Sequence, residues 1–209
     1  MLDFLHGDIG FSPVEITVPA IAALVIAYFL GNISPAIILG RMNGIDIKKE
    51  GSGNAGTTNV LRVMGKKFAV ITLVIDILKG VIAVKLGCVL AGASFAPLCA
   101  LAAFCGHIWP ALYHFRGGKG VATAFGVITA VNWQLGLAVL AVVAVFVILS
   151  KRMSLGSIMG AVSFPFLAFF MELDFVNVGF IMAVIVIVKH RANIGRLIRG
   201  EEPKMSFKK

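Results

Sequence analysis

Three stretches of this chain combine glycines, small polar residues and cations at spacings suited to holding phosphate. The first reads Gly51-Ser52-Gly53-Asn54-Ala55-Gly56-Thr57-Thr58-Asn59-Val60-Leu61-Arg62. Closely spaced glycines let the backbone turn its N–H groups inward, forming a nest for anionic oxygens. Ser52, Gly53, Asn54, Thr58 and Asn59 are candidate phosphate ligands, and Arg62 adds a planar cation suited to phosphate. A flexible solvated loop would account for the glycines, but not for their coincidence with donors and a cation. The stretch is not a nucleotide-binding P-loop. Gly51 and Gly56 have that spacing, but Thr57 stands where the lysine belongs.

The second stretch runs over residues 106–123 and holds Gly117-Gly118-Lys119-Gly120 just before an apolar run. Gly117, Gly118 and Gly120 permit close backbone approach to an anion. A helix starting there would favour negative charge at its N-terminus. His107 opens the stretch and reads equally as a packing donor or a catalyst, whereas His114 fits an interfacial position. The third stretch begins Lys189-His190-Arg191-Ala192-Asn193-Ile194-Gly195-Arg196. If the last helix continues through it, Lys189, Asn193 and Arg196 share one face with His190 at its edge. A basic tail resting on anionic headgroups is the alternative, and it suffices for Lys204, Lys208 and Lys209.

The rest of the chain must position these stretches, and its composition says how. Of 209 residues, 59% are hydrophobic, against about 45–50% in soluble domains. The excess lies in the runs 16–40, 68–92, 94–115, 121–150, 154–171 and 176–188, and a membrane helix needs about 20 such residues. The reading is an all-α integral membrane protein, one transmembrane helical domain over 1–209. The formal charge of +9 is first of all a topology signal. Basic residues cluster in loop 41–67, at Arg116 and Lys119, at Lys151 and Arg152, and in the tail. The N-terminus, with Asp3, Asp8 and Glu15, lacks them, and residues 172–177 are acidic. All basic clusters fall on one side only if 121–150 is a hairpin of two short helices turning near Asn132, Trp133 and Gln134. That gives about seven helices, N-terminus outside and C-terminus cytoplasmic. Each hairpin arm would be about 20 Å long at 1.5 Å per residue. The loops 41–67, 106–123 and 189–202 then share the cytoplasmic face, which argues for one composite site.

Smaller features fit this frame. The first 15 residues contain no Lys or Arg, so they are not expected to be a signal peptide. Cys88, Cys99 and Cys105 match no metal motif and read as packing residues. Gly156 and Gly160 have the spacing of a close helix contact. Asp76 and Lys79 lie inside an apolar helix, where ionisable groups pair with each other or mark function. No metal site and no cofactor are expected.

The three stretches, in this order, resemble the motifs of the bacterial acyl-phosphate:glycerol-3-phosphate acyltransferases, and the resemblance spans nearly the whole chain. One departure is Thr57, where the family pattern leads one to expect alanine. The resemblance implies an enzyme of phospholipid synthesis in the bacterial plasma membrane, with its site on the cytoplasmic side. It implies transfer of a fatty acyl group from acyl phosphate to the sn-1 hydroxyl of glycerol 3-phosphate, giving lysophosphatidic acid and phosphate. Its partners would be the two substrates and the bilayer, not nucleic acid, and a monomer is expected. An acyl phosphate is an activated anhydride, so no covalent nucleophile is demanded. Arg62 and Lys119 would bind phosphate and offset developing charge, and His190, Asn193 and Arg196 would orient glycerol 3-phosphate. His190 or an oxygen of the acyl phosphate would take the hydroxyl proton. None of His6, His107, His114 and His190 has Asp five residues on, so the His-x4-Asp pair of thioester-using acyltransferases is missing. Two rivals are an organophosphate transporter and a lipid-binding scaffold. The first would be expected to show internal repeats and midplane cations, and the second leaves the paired glycine turns unexplained.

Overall fold

The computed structural model describes residues 17–205. Asp3, Asp8 and Glu15 and the tail lysines Lys208 and Lys209, used above for topology, lie outside the described residues. Every regular element described is helical. The order is α1 (Val18–Asn32), α2 (Pro35–Met42), α3 (Thr57–Met64), α4 (Lys66–Ala91), α5 (Ala96–Ile108), α6 (Val121–Val131), α7 (Trp133–Ser150), α8 (Met153–Met171), α9 (Val176–Lys189) and α10 (Arg191–Ile198). Val18–Met42, Ala93–Tyr113, Trp133–Ser150 and Met153–Met171 are each long and apolar enough to cross a membrane. Leu173–Lys189 with Arg191–Ile198, bent by 60°, makes a fifth candidate. The outward faces of these helices are apolar, with Ile148, Leu149, Phe166, Phe170, Phe180 and Val188 exposed. Water would not tolerate so much contiguous apolar surface, whereas lipid does.

Local sequence explains where the helices stop. α1 begins on Thr17, whose hydroxyl accepts the Ala20 N–H, and ends before Ser34-Pro35. Proline supplies no N–H and disfavours helix in the preceding residue. The 121–150 run breaks at Asn132, whose side chain caps α7 by accepting the Leu135 N–H. The chain doubles back there. A Cβ on Gly136 would lie 3.0 Å from the Thr129 Cα, whereas residues seven apart in a straight helix are about 10 Å apart. The expected hairpin is present, but its arms are unequal, 11 and 18 residues.

Small residues let helices cross at backbone contact, and these crossings place the site. On α1, Ala20, Ala23, Ala27 and Gly31 form the buried stripe. Gly31 and Gly106 touch where α1 meets α5, so any Cβ at either would overlap the partner backbone. Such close approach is how membrane helices gain packing contacts. That crossing fixes the end of α5. A second crossing fixes the start of α6. There a Cβ on Gly80 would sit 2.8 Å from the Thr123 carbonyl, and Gly126 packs on the Ile77 carbonyl. On α8, Gly156 and Gly160 pack against Val143 and Val147 of α7, as their spacing suggested.

Candidate active site

A cavity of about 490 Å³ opens where the three polar stretches meet. Ser52, Asn54, Thr57, Thr58 and Arg62 line it from the first stretch, Lys119 and Gly120 from the second, and His190, Asn193 and Arg196 from the third. Two helix starts border it. Thr57 and Thr58 are the first residues of α3, capped by Gly56, and Val121 and Ala122 the first of α6, capped by Gly120. Neither cap bonds to the helix through a side chain. The free N–H groups and positive ends of two helices therefore face one space, which favours anions. Away from this mouth the walls turn apolar. Along α8 the lining passes from Ser154 and Ser157 to Gly160, Ala161 and Phe164, about 15 Å at 1.5 Å per residue. Phe125, Ile128, Val139 and Met182 are among the other apolar residues that line the cavity.

A chain of polar contacts ties the second stretch to the third. The Lys119 ammonium donates to Asn193 Oδ1. Asn193 Nδ2 donates to Glu202 Oε1 at 2.6 Å, and Arg196 Nε to Glu202 Oε2 at 2.7 Å. Glu202 is held by a tail strap, with Arg152 Nε donating to the Glu202 carbonyl and Met205 N–H to the Lys151 carbonyl. Burial works against ionisation of Glu202, but the hydrogen bonds from Asn193 and Arg196 outweigh it and hold its carboxyl below the usual glutamate value. Burial brings Lys119 down to about 8; Glu202 opposes the fall, and Arg196 and Arg62 add to it. His190 is buried at the bend between α9 and α10. Its Nδ1 lies 2.8 Å from the Val186 carbonyl. A carbonyl only accepts, so Nδ1 carries the proton and Nε2 is left as an acceptor.

Not every predicted ligand faces the cavity. Asn59 borders it but is committed elsewhere. Its Oδ1 accepts the Ser52 N–H at 2.8 Å, and its Nδ2 donates to the carbonyls of Ile47 and Glu50. It is the pin of the first loop, not a free phosphate ligand. Gly53, Gly117 and Gly118 do not line the cavity. Gly53 serves a turn at φ +66°, and Gly117 and Gly118 lie so close to His107 that any Cβ would overlap it. The last helix does not continue straight through the third stretch. The bend at His190 separates Lys189, which stacks on the Trp109 ring at 5.0 Å, from Asn193 and Arg196, which keep a common face.

Residues 21–200 match the pattern of the family described as Glycerol-3-phosphate acyltransferase. The chain belongs to that family. Relatives with the same description include one from Thermoanaerobacter pseudethanolicus, 45% identical over 192 residues, which cover 90% of this chain and 97% of the relative. Another, from Clostridioides difficile, is 44% identical over 200 residues, covering 88% and 95%. The fold is similar to a crystal structure of PlsY (YgiH), an integral membrane glycerol 3-phosphate acyltransferase, in its glycerol 3-phosphate form. The TM-score is 0.85 at 32% identity, with 90% of this chain and 96% of that one covered. The lysophosphatidic acid form of the same protein gives 0.82. This acyltransferase is therefore a multi-pass membrane protein.

Sequence reasoning passed over Glu202, Ser154 and Ser157, which line the cavity. Glu202 reads as a polar tail residue, and its only signal is an acid just beyond the basic face of Asn193 and Arg196. It also left His107 ambiguous and undervalued Thr57, whose buried hydroxyl borders the cavity without a hydrogen-bond partner.

Proposed function

We propose that this acyltransferase moves a fatty acyl group from acyl phosphate to the sn-1 hydroxyl of glycerol 3-phosphate, giving lysophosphatidic acid and inorganic phosphate. The observation that carries this reading is the cavity itself: a mouth with Arg62, Lys119 and Arg196 and two helix starts, continuous with an apolar depth. Two phosphates need two cationic cradles, and a fatty chain needs the apolar walls. Ser52, Asn54, Thr58 and Arg62 hold the acyl phosphate, with Gly53 shaping their turn and Asn59 pinning it. Asn193 and Arg196 hold glycerol 3-phosphate. Lys119 spans both, held by the Gly117–Gly118–Gly120 turn.

In the reaction the glycerol oxygen attacks the acyl carbon and the bond from that carbon to the phosphate oxygen breaks. The leaving phosphate keeps the electron pair. His190 Nε2 accepts the hydroxyl proton, which ends on the released phosphate. Arg62 and Lys119 offset charge as it gathers on the carbonyl and phosphate oxygens. The donor is itself an activated anhydride, so no covalent enzyme nucleophile is required.

Phosphate release by detergent-purified protein given palmitoyl phosphate tests the donor. Release is expected to require glycerol 3-phosphate, and palmitoyl coenzyme A is expected to give no product. Activity with the thioester alone would assign a different donor. The protein is read further as one transmembrane domain and a monomer in the bacterial plasma membrane. Seven membrane helices (α1–α2, then α4 to α9) put the N-terminus outside and the loops 41–67, 106–123 and 189–202 in the cytoplasm. α4, at 26 residues, has the length of a span. It carries Asp76 and Lys79 buried within the bundle, away from lipid. Single cysteines replacing exposed Lys151 and Asp174, in a variant with the native cysteines changed to alanine, test the orientation. An impermeant maleimide is expected to label the first only in inside-out vesicles and the second only in right-side-out ones. The opposite pattern would invert the topology.

A further inference from the structure

Against the Gly117–Gly118–Lys119 turn, and reaching the cavity wall through Asp76 and His107, lies a cluster of charged and polar side chains to which the reaction above gives no role. Asp76 and Lys79 of α4 and His107 of α5 are 1%, 3% and 6% exposed. Lys79 Nζ lies 2.7 Å from Asp76 Oδ1, 2.6 Å from the Ile33 carbonyl and 2.9 Å from His107 Nδ1. The ammonium therefore donates to the Ile33 carbonyl and to His107 Nδ1 and pairs with the Asp76 carboxylate, and the Ile33 carbonyl is one that the Pro35 break leaves without a helical partner. His107 Nδ1 is 3.3 Å from Asp76, longer than its contact with Lys79. With Nδ1 accepting from Lys79, the ring proton sits on Nε2, at the far tip of the imidazole.

That tip rests against the phosphate turn. Any Cβ on Gly118 would overlap His107 Nε2, and it would lie 2.7 Å from the Ala55 carbonyl of the first stretch. Gly118 N–H also donates to the His107 carbonyl, Gly117 N–H to the Ile108 carbonyl, and Lys48 to the Gly117 carbonyl. One side chain thus bears on the second stretch where it meets the first, one residue before Lys119. A buried ion pair is a poor means of stabilisation, because well-packed hydrocarbon of similar volume does as well or better. What such a cluster does supply is a fixed geometry. Lys79 keeps its two hydrogen bonds and its ion pair only with α4, α5 and the α1 break in one arrangement.

We propose that His107, locked by Lys79 and Asp76, is a positioning residue for the reaction: its ring tip sets the height of Gly118 and so aims Lys119 at the substrate phosphates. The inference rests on the phosphate-binding reading of the cavity. A shift of about 1 Å in a reacting geometry can cost 10²-fold in rate, so the effect reads out in kinetics.

Two variants separate positioning from packing. His107→Asn keeps an acceptor near Nδ1 for Lys79 but removes the ring tip. His107→Gln keeps a polar group at the reach of Nε2. Wild-type turnover of palmitoyl phosphate and glycerol 3-phosphate is measured first, because its failure would strike the donor assignment and not this one. Given wild-type turnover, folded His107→Asn protein is expected to lose about 100-fold in kcat/KM. The KM for both phosphate substrates should rise, and the thermal unfolding midpoint should move little. His107→Gln is expected to recover at least a third of that loss on a logarithmic scale. Folded His107→Asn protein with wild-type KM values overturns the proposal. So does equal loss in both variants, or failure of both to fold, since each makes the cluster a stability device alone.

Discussion

Replacing His190 with alanine is expected to lower kcat by about 10²–10⁴-fold, the range for a positioned general base, with little change in the KM for acyl phosphate. Three structural facts support this. The residue is buried and lines the cavity. Its Nδ1–H donates to the Val186 carbonyl one turn back, so the tautomer is fixed. Its position at the bend between α9 and α10 holds it beside the Asn193 and Arg196 face. An imidazole so oriented presents Nε2 as a lone pair and not as a donor. Steady-state kinetics with both substrates varied is the check. A fall in kcat of less than tenfold would move the proton acceptor to an oxygen of the acyl phosphate and leave His190 an orienting role.

Lys119 carries the second large effect. Lys119→Ala is expected to reduce kcat/KM about 10²–10³-fold, the scale for losing one preorganised charge-stabilising donor. The pH dependence is more specific. The Lys119 ammonium titrates near 8 in the free protein, well below an ordinary lysine. Its charge is therefore present below that pH and lost above it. kcat/KM reports groups of the free enzyme, so it should decline as pH rises through about 8. Bound phosphate restores an anionic neighbour and raises the lysine again, so kcat should hold to higher pH. Lys119→Arg cannot deprotonate in this range. It is expected to flatten the alkaline limb even where its absolute rate is lower. A limb that persists unchanged in Lys119→Arg would assign it to another group.

Much of this was legible in the residues before any coordinates. The hairpin followed from charge alternation, and the place of its turn from the polar break at Asn132, Trp133 and Gln134. A single span over 121–150 would have placed the Lys151–Arg152 cluster and the tail opposite the other basic loops. Asn132 then proved to be the capping residue. Gly156 and Gly160 were legible because backbone contact between helices demands small residues wherever it occurs. The ligand role given to Gly53, Gly117 and Gly118 was not, and the reason is instructive. A glycine-rich turn looks the same in sequence whether its missing side chains make room for an anion or for the protein itself. Here Gly117 and Gly118 make room for His107. Asn59 failed similarly, because an amide that could reach a phosphate could equally pin three backbone groups of its own loop.

The amino-acid sequence by itself determined the helical membrane architecture and the family, and it marked the stretches that carry the cations. Those are properties of local order: apolar length, charge alternation along the chain, and motif residues within a few positions of one another. Only the tertiary structure decided which of these groups act together. Lys119 reaches Asn193 across 74 positions, and Lys79 meets His107 across 28 and the Ile33 carbonyl across 46. Glu202 joins Asn193 and Arg196 only because the tail folds back over Lys151 and Arg152. Such pairings depend on where helices cross, which is set by backbone-to-backbone packing at Gly31–Gly106 and Gly80–Thr123. A crossing is a relation between two distant segments, and neither segment encodes it alone.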